Sequence, residues 1–503
     1  MELRLFRSAK MLVSSAAAFP CAMRTSQELR QHPSWRDEQV SRVRDWAVEW
    51  AQPSTTIGWL HLRDQDGQVW SEVVTLGTAV AVTGIPSLPT SPGFIASDDG
   101  GAMAEHLRLG QQNCCGSSLL SRLIWSTAAS GYGARILGAV SQLGRDRSPR
   151  PSRNRQEDAL HQLLQVPNSI RLGAMRIHPV DPIGFGIINA VEPPCEFLPR
   201  QADLQRLHLA LQAVVAGAAD VEQCGLALKS ATSLGGRRPK ATFMDSRGLL
   251  AVVKFSASGD RVDHCALEAL TLRVAALCGL QPQKPALLPP SVWSQRRILV
   301  SGRLDRDDRG LPIGWLPARV LVPQRPDVDS SSWLRRDVIE LLNWMRAGCA
   351  DFAADAKVLF RRLLFMGLLG QGGDPLRKVA FLQSPAGRWR LAPVVGLRIP
   401  DEASGLSGLA EQIEEAVALA PLCGFNEVQV VGLLREQMMR WVGWRVEAAA
   451  IGWSPAADDI TALIAAVHRI QKVGDRAIRC LQRPGALAAL CPDEGGFEPK
   501  RHA

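Results

Sequence analysis

The stretch from Leu249 to Phe255 (LLAVVKF) is apolar except for Lys254, and it restricts the fold more than any other feature of the chain. An ammonium inside an apolar strand needs either an anionic partner or a route to solvent along its own stem. Taken alone, Lys254 leaves both readings open. Upstream lies Ser233-Leu-Gly-Gly-Arg-Arg-Pro-Lys240, where Gly235 and Gly236 can offer backbone N–H groups to an anion and Arg237, Arg238 and Lys240 add positive charge. Two glycines before a strand are common, so that loop means little in isolation. The residues Ala241-Thr-Phe-Met read as a strand, a turn follows at Asp245 to Gly248, and the lysine strand leads into a helix that carries Glu268. Leu267, Leu270, Leu272 and Ala275 supply most of the apolar side of that helix.

Composition bounds the rest. With 503 residues the chain is long enough for two to four core-forming units, since a single core stops growing well below that length. An apolar fraction of 46% and a charged fraction of 21% exclude wholesale disorder and a membrane bundle. Lys and Arg number 58 against 49 Asp and Glu, and the net charge of +9 is too mild to establish nucleic-acid binding. Eleven cysteines without a CxxC pair argue against a disulfide framework or a zinc ribbon and fit a reducing cytoplasm. The pair Cys114-Cys115 reads as two half-buried thiols, with a redox pair as the alternative. No apolar run reaches the ~20 residues that span a bilayer. Met1 to Arg24 imitates a signal peptide only faintly, because Glu2 and the shortness of Met11 to Phe19 oppose it.

Along the chain, Trp59 to Thr83 alternates as a hairpin turning at Asp64 to Gly67, and Pro86 to Gly101 reads as a loop. Leu119 to Ile136 has a loose helical repeat, and five arginines between Arg145 and Arg155 form a basic linker or an anion-binding loop. Leu204, Leu207, Leu211 and Val214 mark a buried helical face that leaves Leu209 off the stripe. Val358 to Gly370 is an apolar helix stopped by Gly370-Gln-Gly-Gly-Asp-Pro375, and a strand pair follows at Lys378 to Leu382 and Arg388 to Ala392. Beyond Pro400 the spacing of Val428, Val431, Leu434, Met438 and Trp441 predicts an all-helical region with that face packed inward.

Loop, strand, lysine strand and glutamate helix is the order of a kinase nucleotide lobe. Ser233 to Lys240, Val252-Val-Lys-Phe255, Glu268 and Gly302-Arg-Leu-Asp-Arg306 resemble, in order and spacing, the successive landmarks of the HipA-like serine/threonine kinases. Leu163 to Arg176 (LLQVPNSIRLGAMR) looks like the stretch by which that family's N-terminal subdomain leads into the kinase core. Leu359-Phe-Arg-Arg-Leu-Leu-Phe365 and Trp389-Arg-Leu-Ala-Pro393 are similar to its catalytic-loop helix and metal-loop strand. The resemblance runs over residues 55 to 470 and is best at 225 to 400. It implies an α+β, two-lobed, protein-kinase-like (HipA-like) fold with a mixed, β-rich N-terminal subdomain and a mainly helical C-terminal lobe. The corresponding divisions are 1-54, an N-terminal extension; 55-220, the N-terminal subdomain; 221-320, the nucleotide-lobe-like region; 321-490, the helical lobe; and 491-503, a tail.

The same resemblance places ATP against Ser233, Gly235, Gly236, Lys240, Lys254 and Glu268. In the family, Asn-Thr-Asp-Asp-His-x-x-Asn holds the base and one magnesium ligand, whereas this chain reads Gln371-Gly-Gly-Asp-Pro-Leu-Arg-Lys378. Gly373 stands at the catalytic Asp position, Lys378 at the first metal position, and Gly396 at the second, in Pro393-Val-Val-Gly-Leu397. Glycine has no acceptor for the substrate proton, and an ammonium cannot ligate magnesium. The expectation is a pseudokinase that still binds ATP, with magnesium doubtful, and that pairs with a small helix-turn-helix antitoxin and meets DNA only through it. Lys378 is either a cation standing where the metal would sit or a solvated surface lysine. Two alternatives remain: an active kinase using Asp374 as base, although Pro375 restricts it, and a decayed paralogue. The expected location is the cytoplasm, with no membrane association.

Overall fold

The computed structural model describes residues 45–51, 54–65, 68–75, 83–85, 95–96, 103–108, 119–143, 162–179, 198–257, 259–292, 294–322, 335–371, 374–399 and 406–482. The signal-like start, the Cys114-Cys115 pair, the arginines from 145 to 155 and Gly373 lie outside them.

The first sheet contains β1 (Asp45–Ala51), β2 (Ser54–Gln65), β3 (Gln68–Thr75), β4 (Ile95–Ala96), β5 (Met103–Arg108) and β6 (Met175–Pro179), in the order β4-β5-β3-β2-β1-β6. β2 and β3 form the expected hairpin, with Gln65 opposite Gln68. The expected loop from Pro86 to Gly101 is interrupted by β4, which pairs with β5. Trp46, Ala47, Val48 and Trp50 of β1 are all buried, so this strand is covered on both faces. The single helix expected near 119 to 136 is two, α1 (Leu119–Ser126) and α2 (Tyr132–Leu143). The break is a turn in which Gly131 has φ +54, a conformation that costs a glycine least.

α3 (Leu204–Ala216) presents the predicted buried face and leaves Leu209 exposed. It ends at Gly217 in the left-handed conformation, and α4 (Val221–Ala231) starts from an Asp220/Gln223 capping box. A second, antiparallel sheet follows, with β7 (Lys240–Met244), β8 (Leu250–Lys254), β9 (Ala286–Leu288) and β10 (Ile298–Gly302) ordered β7-β8-β10-β9. Between β8 and β9 runs α5 (His264–Leu277), the glutamate helix, which is capped by Asp263 and buried on nearly every side. That burial takes in Cys265, Ala266, Ala269 and Val274 beside the predicted Leu267, Leu270, Leu272 and Ala275.

A third sheet joins β11 (Trp315–Pro317), β12 (Ala380–Gln383) and β13 (Trp389–Leu391) in sequence order. The expected strand beginning at Lys378 instead begins at Ala380. Lys378 closes a 3-10 turn, Pro375–Lys378, because Asp374 caps that turn through Leu376 N–H. The helices are α6 (Ala318–Leu321), α7 (Arg335–Gly348), α8 (Phe352–Leu369), α9 (Leu406–Val417), α10 (Glu427–Val442), α11 (Trp444–Ala450) and α12 (Ala457–Leu481). α8 is the core element, with Leu359, Phe360, Leu363, Leu364, Phe365 and Leu368 all buried. Each such side chain contributes on the order of 1.5–3 kcal/mol of burial. Its N-cap, Asp351, sets the start before the predicted Val358, and Gly370 ends it in the left-handed conformation.

On α10 the inward face is Val430, Leu433, Leu434, Gln437, Met438 and Trp441, so Val428, expected inside, faces solvent. The first and third sheets are tied directly. Trp50 Nε1 donates to Gln383 Oε1 (3.1 Å), Gln383 Nε2 to Thr83 O (2.8 Å), and Trp389 Nε1 to Gly84 O (3.1 Å). Among the described residues no helix is long and apolar enough to cross a membrane.

Candidate functional site

β7 and β8 pair so that Lys240 stands directly opposite Lys254. Opposed residues of an antiparallel pair share a face, so both ammonium groups leave the sheet on the same side. Like charges in that position are unfavourable. The Lys254 Nζ donates to Glu268 Oε1 of α5, and this ion pair supplies the anionic partner that an apolar strand demands of its lysine. Lys240 has a different arrangement: its Nζ donates to the neutral carbonyl of Gly235 at 2.6 Å. Burial, followed by the Lys254 charge beside it, pushes the Lys240 ammonium down to a pKa of about 8.

The glycines of the preceding loop have a packing reason. Gly236 has φ +93, and a Cβ there would come within 2.6 Å of Lys240 Nζ. Its carbonyl accepts from Tyr132 N at 2.5 Å, while a Cβ on Gly131 would come within 2.4 Å of that same oxygen. The loop is therefore pressed against the start of α2, and Gly235 abuts Ser130. Ser233 is buried, and its Oγ accepts from Arg303 at 3.3 Å.

From the other side comes Lys378. Its Nζ donates to Gln371 Oε1 (2.7 Å) and to Gly396 O (3.0 Å), tying the turn after α8 to the loop after β13. Gly396 has φ +66, with open space where a side chain would be. Burial lowers the pKa of Lys378 to about 8, the Glu268 charge opposes that fall, and Arg398 and Lys254 add to it. Lys240, Lys254, Lys378 and Arg398 thus share one electrostatic neighbourhood with the carboxylate of Glu268. Arg398 also lies 3.3 Å from His264 Nδ1, and its carbonyl accepts from Gln371 Nε2 at 2.5 Å. Sequence reasoning passed over Arg398 and Gln371. The available signal was position, since Arg398 lies two residues beyond Gly396 and Gln371 opens the degenerate loop.

Asp374 is elsewhere engaged. Its fully buried carboxylate pairs with Arg319, which also donates to Asp337 at 2.6 Å, and Arg377 lies 3.7 Å away. Its other oxygen accepts from Leu376 N at 2.9 Å.

Beneath the site is a second charged cluster. Asp305 accepts from Arg303 (2.7 Å from both Nε and Nη2), from Arg306 (2.7 Å) and from Gly173 N (2.7 Å). Arg303 also reaches Thr242 Oγ1 and Ile170 O, and Arg306 reaches Ser169 O and Arg171 O. Arg171 in turn binds Asn168, Thr127, Leu163 O and Val166 O. Burial works to raise the Asp305 pKa, but the guanidiniums of Arg303 and Arg306 and the Gly173 N–H hold it far below the ordinary carboxylate range. Two landmarks quoted separately from the sequence, 163–176 and 302–306, are therefore one polar unit.

Residues 232–395 match the HipA-like C-terminal domain family, a span from Thr232 to the residue before Gly396. The fold is similar to that of HipA from Shewanella oneidensis MR-1, a toxin-antitoxin protein solved together with HipB and operator DNA. That likeness has 13% identity and a TM-score of 0.51, and covers 86% of this chain and 97% of that one. The proinflammatory kinase CtkA of Helicobacter pylori is matched at 14% identity and a TM-score of 0.32, over 50% of this chain and 94% of that one. No curated protein is matched by sequence.

Proposed function

From the match of residues 232–395 to the HipA-like C-terminal domain family and the HipA-like fold, we propose that the chain is a two-lobed pseudokinase that binds ATP without transferring its phosphate. The observation that carries the reading is the Lys378 ammonium, which bonds to Gln371 and to Gly396 O. By resemblance those are the two loops that hold magnesium in a working relative. In this reading a primary ammonium between them stands in for the metal cation and supplies positive charge while it is protonated. The residues present do not fit magnesium, which requires oxygen ligands in octahedral array. Lys378 repels a divalent ion, Gly396 has no side chain to ligate one, and Glu268 is engaged by Lys254. No group of three or more His, Cys, Asp or Glu residues suited to a metal occurs among the described residues.

A phosphate chain fits better. Lys240, Lys254 and Lys378 supply donors, and Glu268 orients Lys254 as an ion pair does in kinase lobes. Asp374 lends no support to an active kinase, because its carboxylate is held by Arg319 and capped onto its own turn. The protein then acts by binding, and the partner class is a small helix-turn-helix antitoxin, as in the HipA–HipB–DNA assembly of the structural neighbour. Contact with DNA runs through that partner.

Thermal unfolding with ATP, in chelator and then with magnesium, tests the reading, because a ligand selective for the folded state raises the midpoint. Stabilisation in chelator that Lys254→Ala removes is the expected result. Stabilisation that requires magnesium and comes with phosphate incorporation would return the protein to the active kinases. No response to ATP under either condition would leave a nucleotide-free scaffold.

A further inference from the structure

The opposed pair Lys240 and Lys254 is costly as it stands. Directly facing like charges on neighbouring strands destabilise a sheet, and Glu268 neutralises only Lys254. Lys240 and Lys378 both direct their ammonium groups to neutral oxygens, Gly235 O in one case and Gln371 Oε1 with Gly396 O in the other. Such carbonyl contacts orient a cation without cancelling its charge. Arg398 adds a further positive field at both lysines. The charged groups around these lysines come from several elements. They are Arg238 and Lys240 at the start of β7, Lys254 of β8, Glu268 and His264 of α5, Lys378 of the 3-10 turn, and Arg398 beyond β13. Asp260 also lies at the edge, where its carboxylate holds Arg238 at 2.6 Å and approaches His264 at 3.6 Å.

We infer that this site is a receptor for an uncomplexed oligophosphate chain, read by Lys240, Lys378 and Arg398, and that magnesium competes with the protein for that ligand. The inference rests on the nucleotide-site reading above and makes it narrower. Recognition lies in the phosphates, and the base contributes little. A chain already neutralised by a divalent ion offers less charge to the lysines and brings a cation toward Lys378, so the metal complex binds worse than the free polyanion. This is the reverse of ordinary kinase behaviour. The two lysines have pKa values of about 8, so loss of their protons weakens binding across pH 7 to 9.

The experiment is calorimetric titration of the full chain with inorganic triphosphate, with ATP in parallel, each in chelator and in excess magnesium. Triphosphate binding in chelator, weakened tenfold or more by magnesium and again by raising the pH from 7 to 9, is the expected result. Arg398→Gln and Lys240→Gln each weaken it by about tenfold or more, the scale of a lost charge-assisted bond. Lys240→Gln also relieves the opposed lysines, so it unfolds no earlier than the parent chain without ligand, which separates lost binding from lost folding. Binding of ATP with no binding of triphosphate overturns this inference and leaves the nucleotide reading standing. Tighter binding in magnesium overturns it as well. Failure of both ligands to bind overturns the two together.

Discussion

Two groups of cations, the buried arginines of one cluster and the half-buried lysines of the other, are handled in opposite ways. In the Arg303–Asp305–Arg306 knot each guanidinium faces a carboxylate or an organised set of carbonyls, and the network fastens residues 163–177 to the second sheet. In the lysine site, Lys240 and Lys378 meet carbonyl and amide oxygens, and Glu268 pairs with Lys254. Taking a charge out of water is costly unless it is paired. The knot meets that cost internally, which is how a structural element behaves. The lysine site leaves it partly unmet, which is how a site awaiting an anion behaves.

The contrast can be broken by mutation, and the largest effect belongs to the knot. Asp305→Ala leaves two buried guanidiniums without their carboxylate, so a loss of about 3–5 kcal/mol is expected, measured by urea unfolding. A change below about 1 kcal/mol would mean that the arginines find other partners. Next is the joint where the glycine loop meets α2. Gly131→Ala forces a Cβ to within 2.4 Å of Gly236 O at φ +54 and should cost about 2 kcal/mol. Gly396→Ala, at φ +66 but in open space, should cost about 1 kcal/mol. Equal losses at the two glycines would show that the backbone angle alone decides.

Titration separates the two regions by sign. The Asp305 pKa is lowered in the folded state, so its contribution is present above the unfolded value near 3.8 and disappears as the pH falls. The lysines are lowered from 10.5 to about 8, so between those values the unfolded chain binds more protons. Stability should therefore rise with pH across that window, an effect to be followed by chemical unfolding at fixed ionic strength and erased by Lys240→Gln with Lys378→Gln. The smallest effect is that of Lys240→Gln alone. It should leave stability unchanged or raise it by up to about 1 kcal/mol, since it removes one of two opposed like charges. A clear loss would make Lys240 a structural residue and dissolve the contrast.

Much of the architecture was legible beforehand. The hairpin of β2 and β3, the α3 face with Leu209 outside it, the lysine strand and the glutamate helix follow from alternation, turn residues and helical spacing, all of which act over a few residues. Errors came where two registers compete. On α10, Val428 and Val431 continue the spacing of Leu434, Met438 and Trp441, yet the buried face takes in Val430 and the polar Gln437. Lys378, the last residue of the turn at 375–378, was read as the start of a strand because the capping role of Asp374 is invisible until its partners are known. At the candidate site, the residue types and their order were readable. Arg398 was not, because nothing local distinguishes a surface arginine from one placed beside two lysines.

Sequence alone determined that a glycine loop, a lysine strand and a glutamate helix occur in that order, and the resemblance sets glycine and lysine where the family keeps its base and magnesium ligands. Those are statements about neighbours along the chain, where steric and solvation preferences are short-ranged. Only the tertiary structure decided that Lys240 lies opposite Lys254, that Lys378 joins Gln371 to Gly396, and that Asp305 gathers residues from 173 to 306. Charges act through space, and their worth depends on burial and on partners brought together by strand register and helix packing.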